Sequence, residues 1–420
     1  MKNSKFKSKM KFKFIKNTVL LFVVVFLSCG NRSTKQNQAN PVVGANQLEL
    51  YVPLLKGKNV GVVANQTSVI FKKTTSSAPK QHTHLVDSLL TLGVDIKKVF
   101  APEHGYRGIA DAGEYVKDGV DIKTGLPIVS LYGINRKPNP EVLKDIDVVI
   151  FDVQDVGARF YTFTSTLHYM MEACADLGIT ILVLDRPNPN GHYIDGPILN
   201  LEHQSFVGMQ PVPIVHGMTV GEYAQMINGE GWLKNGVRCE LRVVPIANYQ
   251  HDKPYDLPIN PSPNLPNAKS VNLYPSLCLF EGTNVSIGRG TAFPFQVYGS
   301  PFMKQMSFEF TPMPTFGAKH PKHQGEVCYG TNFSTLSEDS LFSAKKLNFE
   351  WIIHAYHTFN DDPTFFNKNN FFNLLAGSDK LMNLIKGGAN ANQIRETYQD
   401  ELTTFKQKRK KYLIYEDFEN

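Results

Sequence analysis

Short runs of apolar, β-branched residues alternate with segments of helical periodicity through the first half of this 420-residue chain. Each apolar run ends in polar residues, which is typical of strands buried on both faces of a parallel sheet. The segments between them place apolar residues at the spacing of an amphipathic helix. Strands alternating with helices indicate an α/β fold with a parallel sheet. The predicted strands are 59–64, 95–100, 126–131, 147–152 and 179–185, and the predicted helices are 84–92, 140–146 and 162–177.

A cluster of polar residues follows four of the predicted strands. Loops at one end of a parallel sheet share an edge, so groups that are distant in sequence can meet there. We therefore expect the four clusters to converge on one polar site. They are 65–68, 103–105, 152–159 and 185–189.

The loop at 100–108, with the sequence FAPEHGYRG, carries three chemically versatile side chains. A proline fixes the direction in which the chain leaves the strand, and two glycines permit backbone conformations that a side chain would forbid. Glu103, His104 and Arg107 place a carboxylate, an imidazole and a guanidinium on one tight turn. Two interpretations stay open: the groups belong to an active site, or Glu103 pairs with Arg107 and only stiffens the turn.

A proline-rich stretch at 253–266 separates the two halves of the chain, since it can form neither a helix nor a central strand. Beyond it, the glycine-rich segment 280–291 contains Glu281 and Arg289. This segment lacks the lysine of a phosphate-binding loop, and no GxGxxG follows the first strand, so nucleotide binding is disfavoured. Near the end, a basic run at 406–411 is interpreted as the solvated end of a helix. The apolar face of that helix comprises Ile394, Tyr398, Leu402 and Phe405.

The first residues indicate export and lipid anchoring. A lysine-rich start leads into an apolar run at 19–27, which is too short to span a bilayer and has the length of a signal-peptide core. Small and apolar residues directly before Cys29 resemble a bacterial lipobox. We predict a lipoprotein signal peptide at 1–28, a lipidated Cys29 and a flexible tether at 29–47. The expected location is the bacterial cell envelope, on a periplasmic membrane face.

Length, charge and cysteine spacing limit the domain organisation and the kinds of protein that the sequence can represent. A chain of this length exceeds what one hydrophobic core usually serves, so two domains are expected. The formal charge is +6, but seven lysines precede residue 28, and removing them leaves about −1. Nucleic acid is therefore not an expected partner. The remaining cysteines lie far apart, so the sequence indicates neither a zinc cluster nor a disulfide framework. They are Cys174, Cys239, Cys278 and Cys328.

Six segments in order resemble the NamZ family of exo-β-N-acetylmuramidases, glycoside hydrolase family 171. Several long motifs in sequence are far more specific than any one of them alone. They are FAPEHGYRG (100–108), FDVQDVGARFYT (151–162), LDRPNPNG (184–191), HGMTVGEYA (216–224), PSPNLP (261–266) and FEGTNVSIGRGTAFPF (280–295).

The resemblance implies a fold and an activity. It implies a Rossmann-like catalytic domain, at 48–260 here, and a smaller α+β carboxy-terminal domain at 261–420, with the active site in the cleft between them. The implied reaction removes terminal N-acetylmuramic acid from the non-reducing ends of peptidoglycan fragments, without a metal or an organic cofactor.

The resemblance also assigns roles to residues. By motif position, Glu103 is similar to the family's catalytic acid, and a second group must supply water or a nucleophile. Asp152 and Asp155 rank first for the second role because they share a sheet edge with Glu103. The other candidates are Asp185, Glu114 and Glu281.

Substrate contacts are predicted from the same motifs. Arginine can hold the lactyl carboxylate of muramic acid through two parallel hydrogen bonds, and Arg159 and Arg289 are the first choices, with Arg107 third. The complete predicted set is His104, Arg107, Gln154, Arg159, Tyr161, Asp185, Arg186, His216, Asn264, Glu281, Asn284 and Arg289.

Two other classes of protein stay open. One is a metal-dependent cell-wall hydrolase, although the sequence contains no closely spaced ligand set. The other is a lipid-anchored protein that binds glycan fragments without cutting them. The histidines considered as metal ligands are His82, His84, His104 and His216.

Overall fold

A computed structural model of the chain describes residues 40–72, 81–108, 114, 117–360 and 362–419. The predicted signal peptide and Cys29 lie outside the described residues, as does most of the predicted tether. The end of that tether is folded, because Val42 pairs with Ala247 and the apolar side chains of Val43 and Ala45 are buried. Residues Asn40–Asn420 form one compact unit.

The described strands belong to one large sheet and two small ones. The five predicted strands are all observed, with bounds that agree to within one residue, but three short strands in the first half were not predicted; these are 69–71, 82–84 and 119–120. The strands are β1 (Val60–Ala64), β2 (Val69–Phe71), β3 (His82–His84), β4 (Ile96–Ala101), β5 (Gly119–Val120), β6 (Pro127–Ser130), β7 (Val148–Asp152), β8 (Thr180–Leu184), β9 (Leu241–Val244), β10 (Val297–Ser300), β11 (Phe308–Phe310) and β12 (Cys328–Asn332).

Within the described residues, the large sheet has the strand order β5-β6-β4-β1-β7-β8-β9. The neighbours from β6 to β9 all pair in parallel, and only β5 is antiparallel to its neighbour. Numbered along the chain, the six parallel strands follow the order 3-2-1-4-5-6 of the doubly wound fold, in which the strand order reverses between β1 and β7. The predicted parallel α/β sheet is confirmed.

Helices cover the sheet and complete the smaller carboxy-terminal part. The longest of the described helices, Phe163–Leu177, begins in the loop after β7 and ends at Gly178, whose φ of 66° makes a left-handed cap that favours glycine. The α-helices within the described residues are Leu48–Tyr51, Leu85–Thr91, Pro140–Leu143, Phe163–Leu177, Val220–Gly229, Ala268–Leu277, Glu338–Ala344, Glu350–Thr358, Phe371–Ala376, Lys380–Lys386, Ala391–Glu396 and Gln399–Arg409. No helix in the described ranges is long and apolar enough to cross a membrane.

The carboxy-terminal helix differs from its prediction. The expected apolar face is buried, but it is divided between two helices, Ala391–Glu396 and Gln399–Arg409. The break falls at Tyr398, whose hydroxyl donates to Asp195 at 2.8 Å. The basic run is not fully solvated, because Arg409 is completely buried and donates to the carbonyl of Gly217 at 2.7 and 3.0 Å.

Candidate active site

The crevice between β1 and β7 is where a doubly wound fold usually binds its ligand. Here the protein's own polar side chains fill it. Asp152, at the end of β7, is fully buried and accepts from Arg186 at 2.6 and 2.9 Å. The hydroxyl of Ser68 donates to the Asp152 carbonyl, and Gln154 donates to the Pro187 carbonyl at 2.7 Å. Three of the predicted polar clusters therefore do meet, but their side chains form hydrogen bonds and an ion pair with one another.

Asp185, at the end of β8, is equally enclosed. Its carboxylate accepts from the backbone N–H of Gly221 at 2.9 Å and from the hydroxyls of Thr219 and Tyr415 at 2.7 and 2.6 Å. Burial raises the pKa of Asp185 to about 6, against the effect of these donors. Thr219 also begins the helix Val220–Gly229 with a capping box. The HGMTVGEYA motif thus anchors a helix to the sheet and to the carboxy-terminal tail.

A cavity of about 660 Å³ lies beside this network. Its wall combines loops from the amino-terminal sheet with segments that follow the proline-rich stretch. Of the predicted site residues it includes Glu103, His104, Tyr161, Glu281 and Arg289, together with the second-role candidate Glu114. Further polar residues on the wall are Tyr132, Thr162, Ser262, Tyr274, Cys278, Lys319, His320 and Lys322.

Glu103 follows β4 and is held on the cavity wall by two hydroxyl groups. The Thr162 hydroxyl donates to its carboxylate at 2.5 Å, and the Tyr132 hydroxyl also hydrogen-bonds to it. Burial, and next the Glu103 carboxylate, raise the pKa of Tyr132, so this hydroxyl remains a donor. Thr162 directly precedes the helix Phe163–Leu177, so Glu103 also faces the positive end of a helix.

The turn after Glu103 has a backbone that few sequences adopt. His104 has a φ of 69°, which is uncommon for a residue other than glycine, and its side chain is buried. At Gly108, φ is 73° and a Cβ would lie 2.6 Å from the side-chain oxygen of Gln66. Arg107 donates to Asp121 at 3.0 and 2.7 Å. Arg107 also lies 3.6 Å from a carboxylate oxygen of Asp87. It therefore anchors the loop, as the structural interpretation expected, but through Asp121 and Asp87.

Glu281 and Arg289 form the second charged group of the cavity. Arg289 donates from Nε and Nη2 to the same oxygen of Glu281, at 2.9 and 2.6 Å. Its guanidinium also lies 4.9 Å from the centre of the Phe295 ring. The other Glu281 oxygen lies 3.9 Å from the Cys278 sulfur. Both side chains of the ion pair are partly exposed to the cavity.

Asp155 and Gln154 support the loop after β7 from behind the cavity. One oxygen of Asp155 accepts from the Gly157 N–H at 2.6 Å, while the other has no hydrogen-bond partner among the described residues. Burial raises the pKa of Asp155 to about 7. Asp152 and Asp155 come at the carboxyl end of β7, in the same sheet as β4, which leads to Glu103, but neither of them lies on the cavity wall.

The other predicted contacts also lie away from the wall. Arg159 is buried and donates to the carbonyls of Pro197, Val212 and Leu375, because its loop packs beneath the carboxy-terminal segment. Three more predicted contacts form hydrogen bonds with neighbouring loops. His216 accepts from the Met218 N–H, and Asn264 donates to the Gly317 carbonyl. The backbone of Asn284 bonds to Phe365 and His323.

Several polar residues on the wall were missed by sequence reasoning, among them Tyr132, Thr162 and Lys322. Tyr132 follows the predicted strand 126–131, so its position at a strand end was a usable signal. Thr162 stands at the predicted helix start, where it resembles an ordinary cap. Lys322 lies in a segment without periodicity, and nothing in the sequence indicates that it would reach the cavity.

The histidines considered as metal ligands do not assemble. His84 bonds to the Asn65 carbonyl at 2.9 Å, whereas His216 is buried elsewhere and burial lowers its pKa to about 3. In the part of the chain that the structure describes, no group of three or more histidine, cysteine or acidic side chains could hold a metal ion.

Family models and relatives match nearly the whole described chain. The amino-terminal model of exo-β-N-acetylmuramidase NamZ matches residues 60–269, and the carboxy-terminal model of the same family matches residues 272–415. The peptidoglycan β-N-acetylmuramidase NamZ of Bacillus subtilis strain 168 is 38% identical over 425 residues, covering 96% of this chain and 99% of the relative.

Two crystal structures of DUF1343 family proteins from Bacteroides fragilis NCTC 9343 have similar folds. The first is 44% identical, has a TM-score of 0.81 and covers 90% of this chain and 100% of its own. The second is 28% identical, has a TM-score of 0.73 and covers 90% of this chain and 99% of its own. The similarity therefore includes both the sheet and the carboxy-terminal segments that close the cavity.

Proposed function

The chain belongs to the exo-β-N-acetylmuramidase NamZ family, and from that membership we propose how its cavity performs the reaction. The protein is a glycosidase that removes terminal N-acetylmuramic acid from the non-reducing ends of peptidoglycan fragments. Such an enzyme serves the turnover of the cell wall. The fragments are its substrates, and the residues below carry the chemistry.

The position of Glu103 is the observation on which the proposal depends. A glycosidase needs a carboxylic acid that protonates the leaving oxygen as the glycosidic bond breaks. Glu103 lies on the cavity wall, and Thr162 and Tyr132 fix its orientation. Once Glu103 has given up its proton, both hydroxyls donate to the new carboxylate. They therefore stabilise the charge that develops on it during the reaction.

We assign the second role to Glu281. A second carboxylate must support the positive charge at the anomeric carbon and direct a water molecule or attack the carbon itself. Glu281, Glu103 and Tyr132 lie on the wall of the same cavity, and both carboxylates raise the pKa of Tyr132. Arg289 fixes one oxygen of Glu281 through two hydrogen bonds. Glu114 is the other candidate on the wall, but its side chain and that of its partner Lys319 are 37% and 57% exposed, whereas Glu281 and Arg289 are 26% and 23% exposed and therefore more shielded from water.

Release of a monosaccharide tests the activity. We expect the protein to convert N-acetylmuramyl-β-1,4-N-acetylglucosamine into its two monosaccharides, detected by mass spectrometry, and to leave a fragment with terminal N-acetylglucosamine uncut. The activity should persist in excess chelator. Binding of the disaccharide without release would support the glycan-binding alternative, and loss of activity with chelator would support the metal-dependent one.

The membrane anchor is a separate proposal, supported by the sequence at 19–30. We propose that Cys29 carries a lipid that holds the enzyme in the bacterial cell envelope, on a periplasmic face. The Cys29→Ala variant should lose the mass of the lipid and move from the detergent phase to the aqueous phase. Ser33→Ala, a nearby small substitution, should change neither. Equal mass and equal partitioning of the wild type and Cys29→Ala would contradict the anchor.

A further inference from the structure

The cavity wall carries three lysine and arginine side chains with different partners. Lys319 binds the Glu114 carboxylate, and Arg289 binds Glu281. The ammonium of Lys322 donates instead to two neutral backbone carbonyls, those of Thr283 and Val285. Among the described residues, no carboxylate lies within ion-pair distance of it. An ammonium has three N–H donors, so one donor and the charge of Lys322 remain for a ligand.

Lys322 is also held rigidly. Thr283 and Val285 belong to the loop that carries Arg289, and the adjacent His323 bonds to the Asn284 carbonyl at 3.2 Å. The ammonium is therefore held in a fixed position against the loop that also carries the Glu281–Arg289 pair. A binding group that is already in place loses little conformational freedom when its ligand arrives.

The surroundings of Lys322 disfavour an unpaired positive charge. Burial lowers the pKa of Lys322 to about 8; the Arg289 guanidinium acts in the same direction, and the Glu281 carboxylate opposes it. A half-buried cation with neutral partners is costly unless an anion comes to it. An anionic ligand in the cavity would supply the missing partner.

We propose that Lys322 binds the lactyl carboxylate of the terminal muramic acid, with the positive field of Arg289 beside it. This inference rests on the proposed function, which brings a muramic acid into the cavity. The lactyl carboxylate is the anionic group that distinguishes this sugar from N-acetylglucosamine. Lys322 thereby takes the role that the sequence suggested for Arg159 and Arg289. The guanidinium of Arg159 is bonded to backbone carbonyls, and that of Arg289 is bonded to Glu281.

A pair of substrates that differ only in charge tests the subsite. These are 4-nitrophenyl β-N-acetylmuraminide and its lactamide analogue, in which a neutral amide replaces the carboxylate. The wild type should prefer the carboxylate. Lys322→Met should lose about tenfold to a hundredfold in kcat/KM on the carboxylate, chiefly through KM, with little change on the amide. Lys322→Arg should keep most of the preference, and Lys304→Met, which removes an exposed lysine away from the cavity, should behave as the wild type does.

The outcomes separate the subsite from the activity. If Lys322→Met loses kcat/KM equally on both substrates, or on neither, the proposed subsite is overturned while the glycosidase activity stands. If the wild type cleaves neither substrate, the proposed function fails, and calorimetry with free N-acetylmuramic acid and its lactamide still tests the subsite. Charge-dependent binding that Lys322→Met removes would then support it, and equal binding of both would overturn it. If Lys322→Met does not fold, judged by thermal unfolding, Lys322→Gln takes its place in both measurements.

Discussion

Replacing Glu103 by glutamine is expected to lower kcat by about a hundredfold to ten-thousandfold without changing the fold. The amide has nearly the shape of the carboxyl group and can still accept a hydrogen bond from Thr162. It cannot deliver a proton to the leaving oxygen, so the loss should fall on the chemical step. The measurement is steady-state hydrolysis of a muramic-acid glycoside with a poor leaving group.

The choice of leaving group shows whether Glu103 acts as an acid. A 2,4-dinitrophenyl group departs without protonation, so Glu103→Gln should recover much of the wild-type rate on that glycoside. Glu141→Gln, which changes an exposed glutamate paired with Lys144, is the matched control and should behave as the wild type does. Near-normal turnover of the poor leaving group by a folded Glu103→Gln variant would remove Glu103 from the acid role.

The sheet was predictable because its information is local. The strands β1, β4, β7 and β8 are short apolar runs with polar ends, and each lies within a residue or two of its predicted bounds. The position of Glu103 just beyond β4 follows from the same rule, since loops at the carboxyl ends of parallel strands carry functional groups. Both predictions need only the order of residues along one segment.

The assignment of the acidic residues was less predictable, because it depends on partners that are distant in sequence. Asp152 and Glu103 both follow a strand, yet Asp152 faces Arg186 in a closed crevice and Glu103 faces an open cavity. Likewise, Arg159 and Arg289 both come within two residues after a glycine, but of the two only Arg289 lies on the cavity wall. A strand end therefore predicts where a polar residue lies, whereas its neighbours decide whether a ligand can reach it.

Removing one partner of the buried Asp152–Arg186 pair should lower the free energy of unfolding strongly. Both side chains are buried, and the guanidinium donates to both carboxylate oxygens. Arg186→Met would leave the Asp152 carboxylate without its positive partner in a low-dielectric crevice. Removing one member of a buried ion pair costs about 3–5 kcal/mol. We expect a loss of this size in the free energy of unfolding, measured by denaturant titration at neutral pH.

The dependence on pH and a second substitution separate this effect from lost packing. Burial raises the pKa of Asp152, and Arg186 opposes that rise. Without Arg186 the folded state should hold the Asp152 proton to a higher pH than the unfolded chain does. The loss in the free energy of unfolding caused by Arg186→Met should therefore shrink as the pH falls and grow as the pH rises.

Adding Asp152→Asn to Arg186→Met should restore part of the lost stability at neutral pH, because no uncompensated charge is then buried. The matched control is Arg242→Met, since Arg242 and Glu240 are 55% and 58% exposed and 3.7 Å apart, and such a pair contributes at most about 1 kcal/mol. Two results would show that the buried pair does not act through its charge. One is an equal loss in the free energy of unfolding for Arg186→Met and Arg242→Met, and the other is a loss for Arg186→Met that does not vary with pH. The crevice at the strand-order reversal would then be held together by packing and neutral hydrogen bonds, such as those from Ser68 and Gln154.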